Sequence, residues 1–95
     1  MSLGPSLETH GRFACTAARV YDGLRTLTDH AIIVENGVLL DVVPADSLPN
    51  GLPVWREPDC TIIPGLIDTH THFMRWQGPR YLAFGVTTIR DTGNN

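Results

Sequence analysis

Residues 64–72 of the 95-residue chain read PGLIDTHTH, an apolar start followed by alternating polar side chains. Residues 66–72 of this stretch predict a β-strand, in which successive side chains point to opposite faces. Asp68, His70 and His72 then share one face. The two histidines lie ~6.5 Å apart at ~3.3 Å rise per residue, so both imidazoles can reach one metal ion. His70 and His72 are therefore the predicted metal ligands.

The residues that follow continue the strand into a helix and a second strand. A Gly-Pro pair at 78–79 opens a helical segment over residues 80–84, and Gly85 lies just past its end. Proline at the start and glycine after the end are typical of helix termini. Residues 86–90, VTTIR, predict a β-branched strand, and residues 91–93 a turn. This order predicts one βαβ unit with two parallel strands.

Three further side chains near these strand ends are candidate site residues. Asp68 is a candidate for orienting a metal ligand, as carboxylates commonly do beside metal-bound histidines. Trp76 follows the first strand and Arg90 ends the second, so both are candidates for contacting a substrate at the strand ends. The alternatives are packing for Trp76 and a structural ion pair for Arg90 and Asp91. No catalytic acid or base is assigned within the chain.

The first half of the chain predicts short strands and turns. Residues 12–20 form an apolar strand that ends at the turn 21–23. Residues 31–34 and 38–43 flank Asn36-Gly37, the pair that best tolerates the positive φ angles of a type I′ hairpin turn. The sequence thus predicts a β-hairpin there.

The connection after the hairpin is polar and leads to two more short strands. One helical turn is predicted at residues 45–48, strands at 54–56 and 60–63, and a turn at 58–59, with Trp55 packing inside the sheet structure. Residues 1–62 therefore predict part of a β-sandwich domain, which gives an α/β fold class with a β-sandwich part for the whole chain.

Composition excludes several classes of protein. The chain is 42% hydrophobic and 18% charged, which indicates a globular rather than a disordered chain. Its net charge is −3, and all seven basic residues are arginine, so nothing points to nucleic acid or a membrane surface as partner. No apolar run approaches the ~20 residues of a membrane span. Residues 1–10 lack the basic start and apolar stretch of a secretory signal.

The two cysteines and the two other histidines are expected to have no chemical role. Cys15 and Cys60 match no metal or redox spacing and are expected to be small buried hydrophobic residues. Their scarcity favours a reducing compartment, the cytoplasm. His10 and His30 are expected at the surface.

Residues 63–72 resemble the first barrel strand of the amidohydrolase superfamily of metal-dependent hydrolases. Residues 85–91 resemble the second barrel strand, and residues 18–23 with the Asn36-Gly37 hairpin resemble the N-terminal β-sandwich segment of that family. Met74 stands where the dihydroorotase and hydantoinase branch often carries arginine. The chain is more similar to the branch of imidazolonepropionases and prolidase-like peptidases.

The resemblance implies that residues 63–95 begin a (β/α)8 barrel with one or two divalent metals, usually zinc, at its mouth. His70 and His72 would bind the more buried ion, and an activated water would attack an amide or related C–N bond of a small-molecule substrate. A barrel takes ~250 residues, so its remainder, including the bridging lysine, two further histidines and the last-strand aspartate, is expected outside this chain. The segment alone is predicted to be inactive and not independently folded, and a homo-oligomer is possible for the whole protein.

Two other classes of protein remain open. A small metal-binding β module of the cupin type also uses a His-x-His strand, although residues 73–78 lack the glutamate that usually follows. The second class is a barrel that has lost its metals and serves as a scaffold. Metal content of the full-length protein distinguishes them.

Overall fold

The computed structural model describes residues 11–93. The expectations for His10 and for the first ten residues lie outside this range. The chain divides into two compact units, Met1–Ile63 and Pro64–Asn95. The domain boundary expected from the sequence, between residues 62 and 63, lies beside this division.

The first unit is a five-stranded sheet centred on a long first strand. Its strands are β1 (Arg12–Tyr21), β2 (Thr26–Thr28), β3 (His30–Glu35), β4 (Val38–Pro44) and β5 (Val54–Ile62). β1 pairs antiparallel with β2 and β3 and parallel with β5, while β4 pairs antiparallel with β3. A 3₁₀ turn over Ala45–Ser47 follows β4, as predicted. The short strand β2 was not predicted.

The β3–β4 hairpin is confirmed. Asn36 has φ 50° and Gly37 has φ 78°, the two positive angles that a type I′ turn requires. Glu35 and Val38 are paired directly beside the turn. The register set at the turn holds as far as Val34 opposite Leu39 and shifts by one residue before Ile33 opposite Asp41.

β5 is one continuous strand, so the prediction of two short strands with a turn at 58–59 is wrong. The register passes from Ala17 opposite Glu57 to Arg19 opposite Thr61, so three residues of β5 bulge against Ala18. Pro58 lies in this bulge. Proline lacks the N–H that a regular ladder needs, and a bulge is where a strand tolerates it.

The core of the first unit is small. Its buried hydrophobic residues, each at most 5% exposed, are Ala14, Val20, Ala31 and Ile33. Ala31 and Ile33 are two positions apart on β3 and therefore share a face. Ala14 is paired with Ile33 on the neighbouring strand β1, whereas Val20 lies where β1 pairs with β2 and β5.

The expectations that both cysteines are buried need correction. Cys15 is half-buried and Cys60 is exposed, because Cys60 lies in the β5 bulge rather than at a regular strand position. Both thiols line one apolar depression of about 220 Å³ beside Trp55. Burial raises the pKa of the Cys15 thiol. His30 is half-buried, and its Nδ1 lies 2.7 Å from the carbonyl oxygen of Thr28.

The second unit is the predicted strand, helix and strand. It contains β6 (Leu66–Thr71), a 3₁₀ turn (Arg75–Gln77), α1 (Gly78–Ala83) and β7 (Val86–Asp91). β6 and β7 pair in parallel. Gly85 ends the helix with φ +84°, a conformation that favours glycine. The βαβ prediction is confirmed, with strand ends within one residue of those expected.

The backbone comes into close contact where β6 begins and just before β7 begins. The Leu66 N–H donates to the carbonyl of Gly85 at 2.8 Å. A Cβ atom at Gly65 would collide with the side chain of Thr87, whose own Cβ would lie only 2.8 Å away. Glycine at position 65 is therefore required by space rather than by its backbone angles.

The second unit buries little apolar surface among the described residues. Its one buried residue there is Thr71, at 4% exposure. Several of its large hydrophobic side chains are exposed by about half or more, among them Leu66, Ile67, Leu82 and Phe84. No helix within residues 11–93 is long and apolar enough to cross a membrane.

Candidate metal centre

The two histidines lie together at the carboxyl end of β6. His70 is in the strand, and His72 follows its last residue, Thr71. The ring centroids are 5.4 Å apart with an interplanar angle of 72°. Both histidines are exposed, whereas Thr71 between them is buried. The two rings are therefore neighbours at the end of β6.

The His72 ring is anchored by the turn that follows β7. Its Nδ1 lies 2.7 Å from the carbonyl oxygen of Gly93. A carbonyl oxygen only accepts hydrogen bonds, so Nδ1 carries the proton in this contact. The lone pair of the neutral ring is then on Nε2, the nitrogen left available to a ligand.

Four hydrogen bonds hold the turn and the adjoining strand ends. The backbone N–H and the hydroxyl of Thr92 both donate to the carbonyl of Thr71, each at 2.9 Å. The Asp91 carboxylate accepts the Gly93 N–H at 3.1 Å. The Thr71 hydroxyl donates to the Arg90 carbonyl at 3.3 Å. The two strand ends are thus joined by bonds that surround His72.

Asp68 contacts the backbone of the histidine segment rather than a ring. It is half-buried, and its Oδ1 accepts the backbone N–H of His70 at 3.1 Å. The bond holds the strand where β6 carries an extra residue relative to β7, between Asp68 and Thr71. A ligand-orienting role for Asp68 stays a prediction.

Arg90 and Trp76 lie apart from the histidine pair in the contacts they make. Arg90 is exposed, and the ion pair expected for Arg90 and Asp91 is not formed within residues 11–93. The Arg80 guanidinium stacks over Trp76 at 5.1 Å from the ring centroid. Trp76 also lines an apolar cleft of about 330 Å³ with Val86, the first residue of β7. Contact with a substrate stays a prediction for both candidates.

The donor set fits a zinc-type ion only in part. Imidazole nitrogen is a common zinc ligand, and two are adjacent here. No group of three or more histidine, cysteine, aspartate or glutamate side chains that could hold a metal occurs among residues 11–93. Catalytic zinc usually takes three protein ligands, so His70 and His72 would need at least one more.

The sequence analysis missed the Gly93 carbonyl and the Thr92 hydroxyl. Residues 91–93, Asp-Thr-Gly, were identified as a turn, but a turn motif does not indicate which strand end it contacts. The available signal was topological: the carboxyl ends of neighbouring parallel strands meet at one edge, so this turn had to lie beside His72.

Comparisons with known proteins support a common origin with hydrolases. Residues 12–55 match the family described as the NagA composite domain. The imidazolonepropionase of Pyrobaculum arsenaticum is 32% identical over 59 residues, which cover 59% of this chain and 15% of that protein. The chain therefore spans less than one sixth of the curated relative that it matches.

Two solved structures share the fold. A Bifidobacterium longum protein assigned as a prolidase is 26% identical with a TM-score of 0.69, over 88% of this chain and 24% of that one. Phenylurea hydrolase B is 24% identical with a TM-score of 0.65, over 88% of this chain and 25% of that one. Both matches extend over most of the chain, and at this identity the second shows the fold alone.

Proposed function

We propose a function from the family to which this chain belongs, the amidohydrolase superfamily, of which it carries an N-terminal portion. Its relatives are hydrolase-type enzymes. The proposal is that the whole protein is a metal-dependent hydrolase that cleaves a C–N bond, as in an amide, a cyclic amide or a dipeptide. This chain contributes the first two metal ligands.

The adjacency of the two imidazoles carries this proposal. His70 and His72 would hold a divalent ion, zinc being the best match to their nitrogen donors. A bound ion of this kind supplies Lewis-acid chemistry, polarising a carbonyl and activating water near neutral pH. The protein's own part is to hold the two rings side by side and to keep the Nε2 atom of His72 free of a proton.

The rest of the chemistry is assigned to residues outside this chain. No carboxylate of residues 11–93 contacts either imidazole ring, so the general base is proposed to lie elsewhere in the protein. We propose that β6, α1 and β7 are the first βαβ unit of a (β/α)8 barrel. Its remaining strands would supply further metal ligands and the general base.

The same framework gives the proposed partners and setting. A small molecule is the proposed substrate, and the remainder of the barrel is the proposed neighbour of the exposed apolar residues in the second unit. Both cysteines are free thiols, which agrees with the proposed cytoplasmic location. A homo-oligomer is compatible with the proposal but carries no part of it.

Metal analysis of the full-length protein tests the proposed function. The wild type is expected to contain near-stoichiometric zinc and to hydrolyse a panel of amides, cyclic amides and dipeptides. The double variant His70→Ala/His72→Ala is expected to lose both properties. His30→Ala is the matched control, because His30 lies in the first unit and bonds to Thr28. A wild type without metal, or a double variant that keeps its full metal content, contradicts the proposal and favours the scaffold alternative.

A further inference from the structure

The turn over residues 91–93 follows β7 and also contacts the ring of His72. Among residues 11–93, the Gly93 carbonyl is the one hydrogen-bonding partner of the His72 ring. The His70 ring has no hydrogen bond from these residues and meets only the edge of its neighbour. The two histidines therefore differ: one has a defined proton position and the other does not.

The position of the Gly93 carbonyl is set by two side chains. Gly93 has φ +142°, a conformation that favours glycine, and it has no side chain of its own to fix the peptide. The Asp91 carboxylate holds the Gly93 N–H, and the Thr92 hydroxyl reinforces the backbone bond to Thr71. Both are exposed, so they serve no core in this unit.

We propose that Asp91 and Thr92 are positioning residues that act through the Gly93 carbonyl to hold the His72 proton on Nδ1 and present Nε2 to a divalent cation. The inference rests on the proposed function, because it assumes that His72 binds a metal. Hydrogen bonds to the second nitrogen of a metal-binding histidine fix its tautomer and orientation, and losing them typically costs about 10–100-fold in metal affinity.

Both Asp91 and Thr92 are needed because neither side chain's hydrogen bond alone fixes the position of the Gly93 carbonyl. The Thr92 bonds fix the turn relative to β6, and the Asp91 bond fixes the Gly93 peptide within the turn. An unanchored neutral histidine favours the proton on Nε2. Loosening the turn would therefore place the proton on the atom that must bind the cation.

The test uses the full-length protein and two readouts. The first is the long-range nitrogen–proton spectrum of metal-free, ¹⁵N-histidine-labelled protein at about pH 8, where an ordinary imidazole is neutral. This spectrum shows which nitrogen carries the proton. The second is the affinity for zinc and cobalt, measured by competition with a chromophoric chelator.

Two pairs of variants separate the hydrogen bonds from the fold. Asp91→Ala and Thr92→Val are expected to move the His72 signal toward the Nε2–H form and to weaken metal affinity about 10–100-fold. Asp91→Asn and Thr92→Ser retain an acceptor and a hydroxyl, so they are expected to keep wild-type values. Thr88→Val, which removes a hydroxyl from the middle of β7, is the matched control.

Each outcome distinguishes the two proposals. If Asp91→Ala and Thr92→Val leave both readouts unchanged, or change the tautomer while metal affinity stays the same, the positioning role is overturned and the proposed function stands. If the conservative variants lose affinity as severely as the others, the effect is structural and the inference also fails. If the wild-type protein binds neither metal, the proposed function fails and takes the inference with it.

Discussion

The two units of this chain obtain their order in different ways. The strands of the first unit bury hydrophobic side chains, as Val20 and Ile33 show. In the second, the one described residue that is buried is polar, Thr71, and the apolar side chains of Leu66 and Ile67 are exposed. Packing therefore accounts for the first unit, whereas local turn chemistry and parallel pairing account for the second.

This difference shows where the candidate chemistry lies. The histidine pair is in the unit with less packing, and hydrogen bonds at the strand ends hold it. Such a site is ordered locally before any hydrophobic core surrounds it. We infer that the exposed faces of this unit, Ile67 among them, become buried only in the whole protein.

The largest expected effect compares one isoleucine from each unit within the 95-residue chain. Ile33→Ala is expected to lower the free energy of unfolding by about 2–5 kcal/mol, because it leaves a cavity in a buried site. Ile67→Ala, at a position 65% exposed, should change it by less than about 0.5 kcal/mol. Urea denaturation in a Trp76→Phe background measures the effect of Ile33→Ala, because Trp55 then reports on the first unit. Equal losses would show that the second unit has a core of its own.

Hydrogen exchange makes the same comparison without substitution. In the 95-residue chain, the amides of Ala14 and Ile33 are expected to exchange about 100-fold more slowly than those of Ile67 and Ile89, because buried contacts set the cost of local opening. Amide exchange followed by NMR measures this ratio. Similar protection in both units would remove the basis of the comparison. The sequence-based expectation that the segment does not fold independently predicts, by contrast, weak protection in both units.

A smaller effect concerns the close approach inside the second unit. Gly65→Ala is expected to destabilise the full-length protein by about 1–3 kcal/mol, because the new methyl group collides with Thr87. Gly78→Ala is the control, since its Cβ would meet Phe73 at an ordinary 3.6 Å, and it should stay within about 0.5 kcal/mol of wild type. Thermal melting of both variants gives the comparison, and equal stability would contradict the requirement for glycine at 65.

The smallest expected effect is a pH dependence confined to the first unit. Backbone hydrogen bonds from Arg25 and Leu24 lower the pKa of Asp22 below its usual value. A lowered pKa means that the carboxylate stabilises the fold above its unfolded pKa and loses this effect as pH falls through the folded pKa. The difference in urea midpoint between wild type and Asp22→Ala should therefore shrink toward acid pH. A difference that is constant from neutral to acid pH would contradict this assignment.

Much of the fold was predictable because its signals are local. Asn36-Gly37 predicts its hairpin, and Gly78-Pro79 with Gly85 predicts the ends of α1, since each depends on φ angles that few residues adopt. The β5 bulge was not predictable. Pro58 is read as a turn unless the parallel partner strand, more than thirty residues away in sequence, is known.

The candidate site shows the same limit. The spacing of His70 and His72 indicates that their rings are neighbours, because a strand alternates with a period of two. The spacing does not indicate which ring nitrogen carries the proton. That property depends on Gly93, which only the pairing of β6 with β7 brings to His72.

The parallel pairing of β1 with β5 also constrains how the first unit forms. It joins Ala14 to Val54, residues separated by most of the unit, whereas the β3–β4 hairpin joins neighbours across a two-residue turn. Hairpins close in about 1–10 μs, but a contact between distant residues must first overcome the entropy of a long loop. We therefore expect the hairpin to act as an early nucleus and the docking of β5 to limit the folding rate. A ribosome must release the chain beyond Ile62 before that last step is possible.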